Sequence, residues 1–534
     1  MVAFRYRHFP PPLFGAKNMA TTHRLLLATL AALALAALAL AGCTRKELGD
    51  ADIVALDAVT LRTEIAAGHV SALQVTQAYL RRIAALDDSG PMLGAVIEIN
   101  QDAEDIARAL DERRKRIDGP YRLGPLHGVP VLLKANIDTA DRMATSAGSL
   151  ALAEHHARDD ADVVTKLRAA GAVVLGKTNL SEWANFRSTR STSGWSSLGG
   201  QTRNPYVLDR NPCGSSSGSA VAVAARLAPL AVGTETDGSI VCPAGINGVV
   251  GIKPAIGTVS QSGIVPIAHS QDTAGPLART VADAALLLDV LAASGVPPTG
   301  PGSVAGLRVG VLRNYGGAGR DAAVEGSFTA ALRQLEAAGL VLVDPVMAAS
   351  PPELSNAERL ILVAEFKGDL AAYLAGVRAG PRTFGELIEF NDAHAADVMP
   401  YFGQELFLAA HEGLGTADPG YAGALELVAA QRTALAALFR ERDIVALVAP
   451  VNGRSWRTDY AGGDSGPRVG SSRIAAITGF PSIAVPAALV AELPIGVAFV
   501  GQPGDEARLF AVAAAFERVR GPFPEPSFLA TIAD

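Results

Sequence analysis

Short apolar runs alternate with amphipathic segments along most of the chain. Ser71 and Gln74 form a capping box ahead of apolar residues at helical spacing. The pattern predicts strands at residues 92–99, 129–134, 172–175, 307–312, 482–486 and 496–500. It predicts helices at residues 101–117, 161–170, 219–226, 283–293, 323–338 and 506–518, and mostly helix over 350–440 as an insertion or cap. This alternation indicates an α/β fold with a largely covered sheet, in one large domain.

The apolar run at residues 129–133 ends on a lysine, Lys134, which Asn136 and Asp138 follow. A buried ammonium group is costly and tends to lose its proton instead. One interpretation is a lysine whose stem is buried and whose amine reaches water. The other is a functional amine, and the rest of the chain has to distinguish the two.

Composition limits the size of the core and the class of partner. The chain has 534 residues, 49% of them hydrophobic, which is enough for a large core. Its formal charge is −7, and residues 1–42 contain basic side chains but no acid, so the remainder is more acidic still. This balance argues against a nucleic-acid-binding surface. None of the nine histidines has a zinc-binding spacing, so no metal site is predicted.

The N-terminal segment has the features of an export signal. His23 and Arg24 precede an apolar run of signal length, and the sequence LAGC ends on Cys43. This pattern is similar to a bacterial lipobox and predicts cleavage before Cys43 and lipid on its sulfur. An uncleaved membrane anchor is the alternative. Met19 is a plausible start, which would make residues 1–18 an over-extended reading frame.

The predicted organisation follows from that segment. It comprises a signal at 1–42, a lipidated or flexible linker at 43–50, and a folded domain at 51–534. We expect the folded domain to lie outside the cytoplasm, in the periplasm or anchored to the outer membrane of a bacterium. Cys213 and Cys242 are the two other cysteines. Export permits a disulfide between them, but free buried cysteines are the preferred interpretation.

Two motifs match known patterns without their structural context. Gly171–Thr178 fits a phosphate-binding loop, but its four intervening residues form an apolar strand that follows a helix. Residues 214–218, GSSSG, fit a nucleophile elbow centred on Ser216, but they follow a loop rather than a strand. Neither nucleotide binding nor an elbow-type hydrolase is therefore expected.

Residues 199–247 are rich in glycine and serine and are flanked by apolar segments that should hold them rigidly. Serine hydroxyls on rigid glycine turns suit a nucleophile with backbone N–H donors beside it. A serine also needs a base, and these loops contain no histidine. A lysine that burial keeps neutral near pH 7 could serve.

Three segments in order carry a resemblance to a known family. They are residues 128–134, GVPVLLK, residues 214–219, GSSSGS, and residues 233–240, GTETDGSI. They resemble the amidase signature family, and the likeness extends from about residue 50 to the C-terminus. The resemblance implies a Lys–Ser–Ser triad in which Lys134 is the base, Ser215 a bridging serine beside a cis peptide, and Ser239 the acyl nucleophile.

The resemblance also implies an oxyanion hole from the backbone N–H groups of Thr236, Asp237, Gly238 and Ser239, and it implies that no cofactor is needed. The family's commonest run is GTDTGGSIR, so this chain departs from it at three positions: Glu235, Asp237 and Val241. Asp237 replaces a glycine, which makes the geometry of the hole an open question. We do not interpret the departure as a loss of activity.

Within the family, residues 143–152 and 199–219 are most similar to bacterial peptide amidases, which remove the C-terminal amide of peptides. That likeness implies a monomer with a central mixed β-sheet covered by helices on both faces, and a small peptide amide as substrate. Aryl, acyl and oligoamide substrates stay open. A component of a glutamyl-tRNA amidotransferase is disfavoured by the export signal, and an inactive binding lipoprotein is disfavoured by the complete triad.

Overall fold

The computed structural model describes residues 48–117, 123–293, 303–464 and 469–533, together with positions 8 and 10. Residues Gly49–Asp534 group into one compact unit. Cys43 and almost all of the signal lie outside the described residues. Cleavage, lipidation and the start at Met19 therefore stay predictions.

Eleven strands form one mixed sheet, and two short strands form a separate hairpin. The strands are β1 (Val96–Ile99), β2 (Pro130–Lys134), β3 (Val173–Thr178), β4 (Trp195–Ser196), β5 (Gly200–Gln201), β6 (Leu230–Glu235), β7 (Val250–Lys253), β8 (Thr273–Ala278), β9 (Arg308–Leu312), β10 (Val341–Val346), β11 (Ala446–Pro450), β12 (Ser482–Val490) and β13 (Leu493–Val500). The sheet order is β1-β3-β2-β6-β8-β7-β12-β13-β11-β9-β10.

Sixteen α-helices lie in the described residues. They are α1 (Asp50–Ala55), α2 (Ala58–Ala67), α3 (Ala72–Leu86), α4 (Ala103–Arg116), α5 (Asp162–Ala169), α6 (Ser217–Ala224), α7 (Val241–Ile246), α8 (Val281–Leu291), α9 (Ala322–Ala337), α10 (Leu354–Leu374), α11 (Phe384–Ala393), α12 (Ala395–Val398), α13 (Glu405–Glu412), α14 (Tyr421–Arg442), α15 (Ser472–Thr478) and α16 (Glu506–Arg520). Helices cover the sheet on both faces, so the predicted α/β fold with a mixed sheet is confirmed.

The sheet places two catalytic candidates side by side. Strand β2 runs parallel to β3 and to β6, so the carboxyl ends of all three strands meet at one edge. Every residue of β2 and β6 is buried, as their continuous apolar runs predict. Lys134 is the last residue of β2, and the turn of residues 236–239, which ends on Ser239, follows β6 directly.

Small residues let α6 approach the sheet closely. All eight of its residues are buried, and six of them are Gly, Ala or Ser. A Cβ added to Gly218 would lie 2.3 Å from the Ala95 carbonyl oxygen and 2.5 Å from that of Asn179. Only glycine fits there, so the glycine-serine loop before α6 is held against the edge of the sheet.

The predicted helices and strands agree with the structure apart from their ends. The Ser71–Gln74 capping box opens α3, with both reciprocal hydrogen bonds present. The predicted strand at 92–99 is shorter, because Met92 and Gly94 have positive φ and form a turn before β1. The helical region 350–440 packs around an aromatic cluster that contains Phe366, Phe384 and Phe407.

One described helix, α14, has the length and apolar composition that would allow it to cross a membrane. In the structure it packs against α10 and α15. Its Gln431, Leu435 and Phe439 are buried there. These contacts are those of a helix in a folded domain.

Candidate active site

Lys134 lies at the carboxyl end of β2 with no exposed surface. Its Nζ is 2.8 Å from Ser215 Oγ and 2.8 Å from Thr234 Oγ1, and it is 3.3 Å from the Thr234 carbonyl oxygen. Asn136 Nδ2 donates to Thr234 Oγ1 at 3.1 Å and so fixes that hydroxyl. The amine therefore faces neutral oxygen atoms, and one of them is the predicted bridging serine.

Burial controls the protonation of this amine. Desolvation lowers the pKa of Lys134 to about 7, against a smaller opposing effect from the carboxylates of Asp272 and Glu235. A large fraction of the amine is thus neutral at physiological pH and can accept a proton. The interpretation in which the amine reaches water is excluded, since no part of the side chain is exposed to solvent.

Ser215 lies in the loop before α6, and its peptide bond to Gly214 is cis. The next two serines have local partners instead of a catalytic one. Ser216 Oγ donates to the Thr234 carbonyl oxygen at 3.0 Å, and Ser217 Oγ donates to the Cys213 carbonyl oxygen at 2.6 Å. Ser215 is therefore the serine of this run that meets Lys134, and Ser216 has a structural contact rather than the elbow geometry.

Ser239 lies four residues beyond the end of β6 and is 8% exposed. Its carbonyl oxygen accepts a hydrogen bond from Ser216 N at 3.0 Å, which joins the two serine loops. In the described part of the chain its hydroxyl forms no hydrogen bond, including none to Ser215. Catalytic hydrogen bonds are often long before substrate binds, so this geometry is compatible with a nucleophile at rest.

The loop before Ser239 presents unused donors. Within the described residues, the backbone N–H groups of Thr236, Asp237, Gly238 and Ser239 donate to no acceptor. Gly238 has a φ of +82°, a conformation that glycine adopts without strain. Four free N–H groups on one tight turn form the kind of site that stabilises a developing oxyanion. Their predicted catalytic role still awaits a test.

Asp237 does not strain this turn. It is absent from the residues with positive φ, so the side chain that replaces the family's usual glycine costs no backbone energy. Its Oδ1 accepts from Ser472 Oγ at 2.7 Å, and its Oδ2 lies 3.7 Å from Arg473 Nε. The carboxylate thus anchors the turn to the start of α15.

Thr236 is held from two sides by residues that sequence reasoning assigned no role. Its Oγ1 donates to Asp272 Oδ1 at 2.6 Å, and its carbonyl oxygen accepts from Gln271 Nε2 at 3.0 Å. Burial raises the pKa of Asp272 to about 6, so this carboxyl is mostly ionised at neutral pH. Both residues lie in the loop before β8, and only the fold brings them to the turn.

The preferred interpretation of the cysteines was wrong. Cys213 and Cys242 form a disulfide instead of remaining free. Cys213 precedes Ser215 by two residues, and Cys242 follows Ser239 by three. Their positions in the sequence, 29 residues apart, did not reveal that both lie beside the same pair of loops.

A cavity of about 550 Å³ opens beside the Ser239 loop. Asp237 and Cys242 line it on the side of that loop, and Tyr315, Arg454 and Trp456 line it elsewhere. The Trp456 indole N–H is buried and has no hydrogen-bond partner in the described residues. The cavity can hold a small organic group.

One trio of potential metal ligands occurs in the described residues: His269, Glu365 and Asp369. Asp369 Oδ2 accepts from the backbone N–H of His269 at 2.9 Å, and Glu365 Oε2 accepts from that of Ser270 at 3.0 Å. Tyr421 donates to the other oxygen of Glu365 at 2.8 Å. These contacts attach the loop that contains Gln271 and Asp272 to α10.

Comparison with known proteins gives the family. Residues 74–510 match the Amidase family. The crystal structure of peptide amidase PAM with the inhibitor chymostatin is 46% identical with a TM-score of 0.83, over 88% of this chain and 98% of that one. Native peptide amidase from Stenotrophomonas maltophilia is 45% identical, with a TM-score of 0.82 over the same shares.

Curated relatives have lower sequence identity. A probable amidase from Arabidopsis thaliana is 36% identical, over 86% of this chain and 88% of its own. A component of the glutamyl-tRNA(Gln) amidotransferase of Symbiobacterium thermophilum is also 36% identical, over 87% and 96%. The expected likeness to bacterial peptide amidases is confirmed. The chain belongs to the amidase signature family and is a hydrolase of amide C–N bonds.

Proposed function

We propose that this protein removes the C-terminal amide of short peptides, through an acyl-enzyme formed on Ser239 and a Lys134–Ser215–Ser239 triad. The observation that carries the proposal is the 2.8 Å contact between a fully buried Lys134 amine and Ser215 Oγ. That amine has a pKa of about 7 and is therefore a usable base. The free N–H groups of the adjacent turn are the donors that would stabilise the oxyanion formed on the substrate carbonyl.

Acylation begins with two proton transfers and one attack. Lys134 accepts the Ser215 proton as Ser215 accepts that of Ser239, and Ser239 Oγ attacks the amide carbonyl carbon. The carbonyl oxygen becomes an oxyanion beside the N–H groups of residues 236–239. The C–N bond then breaks, and the relay returns a proton so that ammonia leaves. Water attacks the acyl-enzyme and releases the peptide acid.

Two features support a peptide amide as the substrate class. The peptide amidase structures are 45–46% identical over nearly their whole length, which is above the 36% of the probable amidase and of the glutamyl-tRNA(Gln) amidotransferase component. The wall of the cavity beside the Ser239 loop also contains the donor side chains of Asn314, Asn452 and Arg454. A peptide offers carbonyl acceptors at regular spacing, whereas an aryl or fatty acyl amide offers one carbonyl at the reacting end.

The direct test is ammonia release from a C-terminally amidated dipeptide by the purified full-length protein. Steady release that Ser239→Ala abolishes supports the proposal. A fluorophosphonate probe gives the second readout, because it labels an activated serine whatever the natural substrate is. Labelling of Ser239 without ammonia release would keep the triad and reject the substrate in favour of another amide. If the probe does not label the protein and no ammonia is released, the result would favour an amidase-like binding protein.

A further inference from the structure

We propose that the Cys213–Cys242 disulfide is a positioning element for catalysis, which holds Ser215 and Ser239 in register with each other. The proposal rests on the proposed function, because it assigns these two serines to one proton relay. The disulfide joins the loop that contains Ser215 to the helix that begins just after Ser239. No other covalent connection links the two loops within the described residues except the chain itself.

Two hydrogen bonds accompany the disulfide. Ser216 N donates to the Ser239 carbonyl oxygen at 3.0 Å, and Asn247 Nδ2 donates to the Pro212 carbonyl oxygen at 2.8 Å. A neutral hydrogen bond contributes roughly 0.5–1.5 kcal/mol net, so each one opens transiently at little cost. The disulfide is the one link between these loops that thermal motion does not open.

The backbone at Cys213 also needs a restraint. Cys213 has a φ of +55°, a left-handed conformation that costs a residue with a Cβ about 1–2 kcal/mol. Asn211, two residues earlier, is fixed by Trp456 O and Ser455 Oγ, at 2.7 Å and 2.6 Å. The loop is therefore fixed before Cys213 and at Ser216. Between these points hydrogen bonds hold the backbone: the Cys213 carbonyl oxygen accepts from Ser217 Oγ at 2.6 Å, and that of Ser215 accepts from Ser181 N at 3.2 Å. Release of the Cys213 side chain would allow the intervening Gly214–Ser215 segment to relax.

Small displacements at this place have large effects on rate. Proton transfer through Ser215 requires its hydroxyl to lie within hydrogen-bond reach of both Lys134 Nζ and Ser239 Oγ. A misplacement of about 1 Å can reduce a rate roughly 100-fold. Loss of the disulfide should therefore lower kcat, which depends on the relay. In Cys213→Ser the KM should stay nearly unchanged, because Cys213 does not line the cavity, whereas Cys242 does.

A reductant can reach the bond, since Cys242 lines the cavity. A small dithiol such as dithiothreitol transfers two electrons and two protons. The S–S bond breaks, Cys213 and Cys242 become thiols, and the dithiol closes to its own cyclic disulfide. Oxidation by a disulfide-containing reagent reverses the same exchange.

The experiment compares reduction with substitution in the full-length protein. We measure kcat and KM for Cys213→Ser, Cys242→Ser, the double variant, and wild type before and after dithiothreitol. Alkylation and mass spectrometry verify the state of both cysteines. If the bond itself positions the serines, all three variants and reduced wild type lose the same factor, about tenfold in kcat, and KM stays within about twofold in Cys213→Ser. Reoxidation then restores wild type, and dithiothreitol leaves the variants unchanged.

Three results would overturn the proposal. The first is full kcat in wild type with both cysteines reduced and alkylated. The second is a double variant whose fold loss in kcat equals the product of the two single-variant losses. If each single variant acts by removing the same bond, the double variant should lose no more kcat than either one. The third is a loss of kcat that occurs in proportion to a loss of the near-ultraviolet circular dichroism signal. That signal reports tertiary packing, so this result would make the bond a general stabiliser of the fold.

The rate of fluorophosphonate labelling keeps this test separate from the substrate question. If the amidated dipeptide is not the substrate, ammonia release fails in wild type while the probe still labels Ser239. The labelling rates of oxidised, reduced and substituted protein then report the positioning effect directly. A labelling rate that reduction does not change would overturn the proposal by this route as well.

Discussion

At the residue scale, the environment of Lys134 explains how a lysine can act as a base. Its hydrogen-bond partners among the described residues are Ser215 and Thr234, neither of which carries a charge. The carboxylates of Asp272 and Glu235 act on it only through longer-range electrostatics. Desolvation therefore outweighs charge pairing, and the amine releases its proton near neutral pH.

Lys134→Met should reduce kcat/KM for amide hydrolysis by about 1,000-fold or more, since methionine fills the space but accepts no proton. Lys177→Met is the matched control, because Lys177 is also fully buried, on the neighbouring strand β3. Its Nζ contacts Ile137 O and Thr145 Oγ1 and no serine of the triad. The control should lose stability but keep kcat within about tenfold. Near-wild-type kcat/KM in Lys134→Met would refute its role as the base.

Activity should rise with pH through the pKa of Lys134, about 7, because only the neutral amine accepts the Ser215 proton. The kcat/KM profile is therefore expected to have an acidic limb with a slope of one. Asp272→Asn removes a negative charge that favours the protonated amine, so the limb should move to lower pH. An unchanged or upward-shifted limb in that variant would contradict the electrostatic account.

The proposed triad could be predicted from the sequence because its three residues lie in short contiguous motifs. Lys134 ends a recognisable strand, and Ser215 and Ser239 lie in distinctive glycine-serine runs. Thr234, Gln271 and Asp272 were missed because their roles depend on contacts across the sheet, between β6 and the loop before β8. The disulfide was missed for the same reason, since sequence separation gives no measure of the distance between two loops.

At the element scale, the short helix α7 depends on a buried side chain for its N-terminal hydrogen bonds. Glu235, the last residue of β6, accepts from Ile240 N at 2.7 Å and from Val241 N at 3.0 Å, both through Oε2. Burial raises the pKa of this carboxyl above its usual range. The contact fixes the distance between the end of β6 and the helix that follows Ser239.

Glu235→Ala should lower the free energy of unfolding by about 2–4 kcal/mol, because it leaves two buried N–H groups without an acceptor. Glu235→Gln retains an acceptor oxygen of the same reach and is the matched control, with an expected loss of less than half that. Urea denaturation followed by circular dichroism measures both values. Equal losses for alanine and glutamine would show that charge, rather than the two hydrogen bonds, is the stabilising contribution.

Elements with a strong local pattern were predictable, and those defined by tertiary contacts were not. Strand β2 and helix α3 follow from an apolar run and a capping box. Strand β8, with the sequence TAGPLA, lacks a continuous apolar run and exists because it pairs with β6 and β7 on its two sides. Such a strand is stabilised by its neighbours in the sheet more than by its own propensity.

At the scale of the whole molecule, the N-terminal sequence predicts how the enzyme is held in the cell. If Cys43 is lipidated, Cys43→Ala in a bacterial host should release the protein from the membrane fraction and abolish labelling by radioactive palmitate. If residues 25–42 instead remain as an uncleaved anchor, the variant should stay in the membrane fraction. Fractionation combined with the mass of the mature N-terminus distinguishes the two.

The cavity and the catalytic residues come from different parts of the chain. Lys134, Ser215 and Ser239 all precede residue 240, whereas the described residues that line the cavity, other than Asp237 and Cys242, lie between Leu312 and Ile477. Substitutions in the later part that spare Ser472 and Arg473, which hold Asp237, can therefore reshape the cavity while the proposed catalytic residues stay unchanged. New amide substrates can then be acquired through mutations in the later half of the gene alone. Recombination between the two halves would transfer a substrate preference in one step.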